Sequence, residues 1–501
     1  MANTVKDRYE KLVADRDPYY DRAQEAALLT IPSLIPEDGH NNNSTFRTPW
    51  QSTGARGVNN LAAKMLLALF PPNSPFFRMK VDEVTLAEMD GPTRGDLENG
   101  LAVYERVATD DIEDSKSRSS FYQGFRHLVV AGNVLLFNTK AGKVRMYPLS
   151  RYVVKRDAEG NVYEIIATDA TVWGALGADF KEIAAEAGAA PGHKDDTDVT
   201  IYTIVKRMGN KWEVMQEIEG VIVPGSEGTY PIDANPWIPL RFTAIDGESY
   251  GRGLIEELYG DLSALDALSQ AITEGAAASA IVRFLVDPNG VTEAKDLNES
   301  DNGDFVNGRE QDISSVQVNK FADLRVALEK SNDLKQDLAY AFLMNSSVQR
   351  NAERVTAEEV RFMAQELEDA LGGIYSVLGE ELQLPLVTYR LNRLAAQGKL
   401  PKLPAEIKPK IITGLEALGR AAEHQRLRVF VGDVAQTFGP EVAAEYIIVD
   451  EYGKRSAAAM NVEPNGLVRS EEQVQQNRQQ RAQQEAQAIA DAQAAKQQPQ
   501  E

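Results

Sequence analysis

The sequence contains no cysteine, which removes disulfide frameworks, thiolate zinc sites, iron–sulfur clusters and thiol nucleophiles, and fits assembly in a reducing cytoplasm. Histidine is nearly as scarce: of the four, His40, His127 and His424 have no second ligand or nucleophile at a spacing used in catalysis. Aromatics make up 7% of the chain against 43% hydrophobic residues in all. The core must therefore be built from alanine and aliphatic side chains, the composition of a folded, largely helical protein. Long apolar runs are missing too. The best, "LAAKMLLALFPP" and "AAASAIVRFLV", fall far short of the roughly 20 residues a membrane-spanning helix needs. The charged opening "MANTVKDRYEKLVADRDPYYDR" lacks the apolar centre of a signal peptide, so secretion by that route is not expected.

Positive charge is in deficit. Lysine and arginine number 53 against 75 aspartates and glutamates, a net charge of −22, which excludes a general nucleic-acid coat and confines any DNA contact to a local patch. No GxxxxGK[ST] phosphate loop occurs. "GESYGRGLIEEL" follows a predicted strand, "PLRFTAI", and opens a helix, so it imitates a dinucleotide fingerprint. Glu256 and Glu257 stand where the third glycine and the pyrophosphate would be, and the stretch reads instead as a hinge into a long helix. "GHKDDTD" sets His193 beside Asp195, Asp196 and Asp198 but lacks the glycine and terminal glutamate of a calcium loop; it reads as solvated loop. "DDIED", at 110 to 114, reads as a solvated helix face and His127 as a packing histidine. No enzyme activity, metal or cofactor is expected.

At 501 residues the chain exceeds one ordinary core, so several packed units are expected. Residues 1 to 30 predict a helix followed by a Pro-, Gly- and Asn-rich loop. Val58, Leu61, Ala62, Met65, Leu66 and Leu69 form the apolar face of a second helix that Pro71 and Pro72 end. Two more helices are expected within 93 to 128, then hairpins of an antiparallel sheet from Leu135 onward, with an Ala- and Glu-rich helix over 169 to 190 between them. Leu254, Leu258, Leu262, Leu265, Leu268, Ile272 and Ala276 predict one uninterrupted helix over 253 to 278, ending in small residues that let neighbours crowd together. Three short strands, "IVRFLVDPNG", "GDFVNGR" and "ISSVQV", interrupt it before an antiparallel partner helix from Ala322 to Leu343, roughly 33 Å long.

After a polar stretch, "NSSVQRNAERV", Thr356 and Glu359 predict a capping box for a third helix, kinked at Gly372, Gly373 and Pro385. Further helices are expected over 414 to 459, and a Gln- and Ala-rich tail beyond Ser470 that is helical only when assembled. Arg350 and Arg354, taken alone, read as loop surface charges; their setting between two long helices is what singles them out.

The order of these elements, and the blocks "TPWQSTGARGVNNLAAKMLLALFPP", "VVAGNVLLFN", "DGESYGRGLIEELYGDL", "NSSVQRNAERVTAEEVRFMAQELEDALGGIYSVLGEELQLPLV" and "TGLEALGR", resemble the head-to-tail connector (portal) proteins of short-tailed, podovirus-type bacteriophages over about residues 5 to 420. The resemblance implies a mainly α fold with an α+β wing, in a ring-shaped homo-oligomer of twelve subunits at one capsid vertex. It maps 1–245 to the wing, 246–279 and 321–344 to paired stem helices, 280–320 to a β-rich clip and 345–355 to a tunnel loop. The long wing helix and its return take 356–413, the crown 414–470 and the tail 471–501. Implied channel residues are Asn345, Ser346, Ser347, Gln349, Arg350, Asn351 and Arg354. Implied partners are non-specifically bound double-stranded DNA, the terminase large subunit, capsid and scaffold proteins, tail adaptors and internal core proteins, with no membrane. The implied place is the portal vertex of the virion, after assembly in the host cytoplasm. Two other readings stay open: a different structural virion or scaffold protein, and a metal-dependent hydrolase built on the His193 loop.

Overall fold

The computed structural model describes residues 4–41, 43–72, 75–81, 91–189, 192–281, 283–316, 321–344, 357–401, 410–414 and 420–439, with residue 416 and scattered residues beyond 439. Thr4 opens helix α1 (Val5–Leu28): its hydroxyl accepts the Asp7 N–H while the Asp7 carboxylate accepts the Thr4 N–H. Helix α2 (Thr53–Leu69) buries Val58, Leu61, Ala62, Met65 and Leu69 and stops before Pro71, as its sequence requires. A short strand β1 (Phe77–Lys80) precedes helices α3 (Gly91–Asp114) and α4 (Arg118–Ala131), which occupy the expected stretch. Gly132, at φ +70°, closes α4 in the left-handed conformation that suits glycine.

Strands β2 (Asn133–Asn138), β3 (Val144–Tyr147), β4 (Tyr152–Arg156) and β5 (Val162–Val172) follow as hairpins. The Ala- and Glu-rich helix is shorter than its composition predicts. Residues 169–172 belong to β5, paired from Asp169↔Ile201 to Val172↔Asp198, and only α5 (Ala178–Glu186) is helical. Ladder hydrogen bonds and cross-strand packing outweigh the weak local preference there. Then come β6 (Asp198–Met208), β7 (Lys211–Ile218), β8 (Val221–Ile222), β9 (Gly228–Pro231) and β10 (Trp237–Arg241). The strands form two antiparallel sheets, β10-β2-β3 and β4-β5-β6-β7-β8, with β9 also on β7. The Glu217 carboxylate on β7 accepts the Val5 and Lys6 N–H groups at 2.8 and 3.2 Å, so the positive end of α1 docks on the sheet.

The expected uninterrupted helix over 253–278 is interrupted once. A first turn, α6 (Leu254–Glu257), is pinned by the buried Leu254 and Ile255, and the backbone leaves helical geometry at Leu258 (φ −94°, ψ 7°) before α7 (Tyr259–Ser279). Strand β11 (Arg283–Val286) pairs with β12 (Ile313–Val316), but the third expected strand is not one. Between them lie helix α8 (Ala294–Glu299) and a turn at Asp301–Asp304, and "GDFVNGR" joins neither edge of the two-stranded sheet. Helix α9 (Phe321–Ala341) returns. Helix α10 (Ala357–Leu371) ends where Gly372 and Gly373 take φ of +59° and +94°, the break its glycines predict. The capping box at Thr356 lies outside the described residues.

After the break come α11 (Ile374–Leu378), a π-helical stretch (Gly379–Gln383) and α12 (Leu384–Ala396), which carries Pro385 in its first turn directly after the π stretch. The π stretch sends its side chains in different directions: Glu381 pairs with Arg241 of β10 at 2.9 Å, while the Gln383 amide donates to the Leu69 carbonyl of α2. Strand β13 (Lys410–Thr413) pairs with β1, so the late chain closes onto the early chain. Of the helices expected over 414–459, α13 (Arg420–Phe438) is the continuous one among the described residues. One main core joins α1, α2, α4, β2, β10, the base of the α7/α9 pair and α10 to α12. A satellite core of Val5, Leu12, Val153, Ile166 and Ile204 lies beneath α1.

Candidate functional site: the helix hairpin and the root of the 345–355 loop

Helices α7 and α9 form an antiparallel pair anchored at one end. Leu262 and Leu265 of α7, with Leu334 and Leu338 of α9, are buried in the main core. At the far end the helices crowd: a β-carbon on Gly275 would lie 2.9 Å from Leu324 Cδ2. The opposite face of α7 presents Gly260, Ala264, Ala267, Ala271 and Ala278 to solvent along one helical seam, with Glu274 between the last two. Helix α9 exposes large apolar side chains instead, Val326 at 67% and Tyr340 at 76%. Helix α7 carries Asp261, Asp266 and Glu274 and no lysine or arginine. Asp266 accepts the Trp50 and Gln51 N–H groups and so ties the loop before α2 to this pair.

Helix α2 holds the chain on both sides of the 345–355 segment. The Asn60 amide donates to the carbonyls of Phe342 and Leu343 at 3.0 and 3.2 Å. The Lys64 ammonium donates to the same Leu343 carbonyl at 2.8 Å and pairs with Glu366 of α10 at 3.0 Å. A cation and an amide thus cap the negative end of α9, and the buried lysine links that end to the helix after the loop. Leu343 sits at φ +54°, a conformation a branched side chain holds only when its surroundings over-determine it. The close approach is set by Gly57, whose added β-carbon would stand 2.3 Å from the Phe342 ring.

Sequence reading missed Asn60 and Lys64. The available signal was a lysine one residue before Met65 on a stripe otherwise apolar, a position where burial demands partners. The implied channel residues Asn345, Ser346, Ser347, Gln349, Arg350, Asn351 and Arg354 lie outside the described residues.

The rejected motifs have structural reasons. Gly251 and Gly253 of the fingerprint-like stretch lie against the turn after α4, where β-carbons would meet the Gly132 and Val130 carbonyl oxygens at 2.9 and 2.6 Å. They serve backbone packing. His193 meets the Trp173 ring edge-on at 5.1 Å, and no cluster of three metal-ligating side chains occurs among the described residues.

"DDIED" is not simply a solvated face. Asp111 accepts from Arg390 at 2.9 Å and from Arg393 at 2.5 Å, and so holds α3 to α12. The pattern showed acids; only packing shows that one of them meets two arginines 279 and 282 residues further along the chain.

His127 is buried, with Nδ1 unpartnered, and burial followed by the neighbouring Arg126 charge pushes its pKa down to about 4. The unfolded chain takes up this proton near pH 6.5 while the folded chain resists. Stability is therefore full above pH 6.5 and falls toward pH 4, by about 3 kcal/mol. Thermal melts at pH 7 and 4.5 should show a smaller acid loss for His127→Leu than for the natural chain.

A family model described as "Bacteriophage head to tail connecting protein" matches residues 2–468. The portal protein of Escherichia phage T7 is 42% identical over 484 residues, covering 94% of this chain and 89% of that one. The portal protein of Enterobacteria phage T3 is 40% identical over 478 residues, again covering 94% and 89%. Among solved structures, the "Neck of empty GTA particle computed with C6 symmetry" overlaps 82% of this chain and 90% of that one at 12% identity and TM-score 0.38. On the match over residues 2–468 and the identity maintained along nearly its whole length, the chain belongs to the bacteriophage head-to-tail connecting proteins, the portals of the phage head.

Proposed function

We propose that twelve copies assemble head to tail into a ring at one capsid vertex, and that double-stranded DNA passes through its channel during packaging, retention and ejection. In this reading residues 1–245 form the wing, α6 with α7 and then α9 the stem, and 280–320 the clip. Residues 345–355 form the tunnel loop, 356–413 the long wing helix and its return, and 414–470 the crown. The terminase large subunit and tail adaptors dock on the clip, capsid and scaffold proteins surround the wing, and internal core proteins meet the crown. Assembly takes place in the host cytoplasm, and the role is structural.

The observation that carries this reading is the hairpin's unmatched pair of faces. A small-residue seam on α7 and protruding Val326 and Tyr340 on α9 cannot cover each other within one chain, since they face outward. They are complementary between copies, and a heterologous contact that closes on itself makes a ring. The acidic excess, −22 per copy, suits a conduit that must not hold a polyanion through counterion-releasing contacts. Arg350 and Arg354, repeated around the ring, supply a few phosphate contacts without sequence preference.

Top views of the purified protein by electron microscopy should show closed twelvefold rings; a chain that stays monomeric across the micromolar range defeats the reading. In heads carrying Arg350→Ala with Arg354→Ala, ring yield should be unchanged while DNA content falls and its salt dependence shifts. Loss of rings before loss of packaging would make these arginines subunit contacts instead.

A further inference from the structure

From Gly39 to Val81 the chain has no aspartate or glutamate, although acids outnumber bases overall. The middle of this stretch is an exposed loop that runs into α2. Arg47 in the loop and Arg56 in the first turn of α2 are exposed, and their guanidiniums meet no partner among the described residues. Between them Trp50 is 49% exposed. The loop is nevertheless tied down. Asp266 of α7 accepts the Trp50 and Gln51 N–H groups, while the Gln51 amide donates to the Leu29 carbonyl at 2.6 Å and accepts the Gly54 N–H at 2.8 Å. That tie fixes the side of the helix hairpin on which these groups stand. Gly275 of α7 faces Leu324 of α9. Asp266 lies about two and a half turns from Gly275, and so on the side of α7 away from α9. On α9, Asp333 is likewise about two and a half turns from Leu324, on the side away from α7, and Asp337 and Tyr340 continue that exposed face. The Asp333 and Asp337 carboxylates also have no partner among the described residues. Both flanks belong to the anchored end of the hairpin, level with Leu262, Leu265, Leu334 and Leu338.

One chain thus carries bare cations on one flank and bare carboxylates on the other, at the same height, where they do not meet each other. We propose that residues 43–56 of each copy lie across α9 of the next copy, with Arg47 and Arg56 against that copy's Asp333 and Asp337 and Trp50 beside its Tyr340. The proposal rests on the ring reading above and names a contact that orders the copies. The head-to-tail step that sets the α7 seam on the next copy's Val326 and Tyr340 brings these same two flanks together, so no second geometry is needed. Because the loop is already tied to α7, little freedom is lost on contact. The charges also make the contact directional. Two α7 flanks, or two α9 flanks, facing each other would set like charges together.

The test uses the purified full-length protein and two charge-reversed variants, Arg47→Asp with Arg56→Asp and Asp333→Arg with Asp337→Arg. All four side chains are exposed, so circular dichroism should show the natural fold. Alone, each variant should need about tenfold or more protein than the natural chain for half-assembly, read by native mass spectrometry, since every contact then sets like charges together. Mixed in equal amounts, the two should recover rings in which they alternate, seen as equal numbers of both variants in each ring. Normal assembly of either variant alone overturns the proposal, as does a mixture no better than its components. If a reversed pair unfolds, Arg47→Gln with Arg56→Gln decides: its assembly should lose most of the salt dependence that the natural chain shows between about 50 and 500 mM, and an unchanged dependence overturns the pairing. Open head-to-tail chains that obey the same mixing rule would uphold the contact and fault the closed ring. Natural protein that stays monomeric overturns both.

Discussion

Asp111→Ala is expected to cost about 3–5 kcal/mol of local stability where α3 meets α12, because it strands two buried cations. Arg390 has no exposed surface, and Arg393 is nearly as enclosed. Their Nε groups and one Nη of Arg390 already lack acceptors, so the carboxylate is the group that balances both guanidiniums. Removing it leaves charge in a medium that solvates charge poorly. Arg390→Met should cost less than half as much, since it withdraws a charge and fills the space with an apolar chain while Arg393 still pairs with Asp111. Hydrogen exchange of amides in α3 and α12 reads this directly. Protection lost equally in the two variants, or a cost below about 1 kcal/mol for Asp111→Ala, would show that the cluster is already compensated by solvent.

Gly57→Val should have the largest effect on the root of the 345–355 segment. The new β-carbon would occupy space now held by the Phe342 ring, which is fully buried and has no outward path. The ring must leave, and with it the last turn of α9. Asn60 and Lys64, one and two turns further along the same face of α2, then lose the Phe342 and Leu343 carbonyls they hold. Overpacking of this kind costs about 1–3 kcal/mol by itself. The functional loss should be larger: heads built on the variant should package little DNA even where rings still form. Adding Phe342→Ala to Gly57→Val restores room and should recover part of the packaging, whereas Phe342→Ala alone leaves a cavity. A double variant no better than Gly57→Val would mean that the two residues do not act through one contact.

These cases mark what could be read along the chain. Periodicity determined most helices: the apolar stripe of α2, its stop before Pro71, the break at Gly372 and Gly373, and the alternation that makes β2 to β7 hairpins are local signals with local causes. Lack of cysteine and the shortage of histidine and cation, likewise countable, removed whole classes of chemistry before any fold was known. Where reading failed, a distant partner had decided the outcome. Residues 169–172 became strand because β6 offered an edge, and the helix over 253–278 is interrupted at Leu258, just after Leu254 and Ile255 are buried in the body. "GDFVNGR" pairs with neither β11 nor β12, and the turn at its start leaves Phe305 exposed. Asp111 in "DDIED" read as part of a solvated face and Lys64 was not singled out at all, and each is a tie to a residue more than 270 positions away. Charge identity is written in sequence, but burial is not: the free energy of an ionic side chain depends on which dielectric and which counter-charge the folded chain brings to it, and that only the tertiary structure decides.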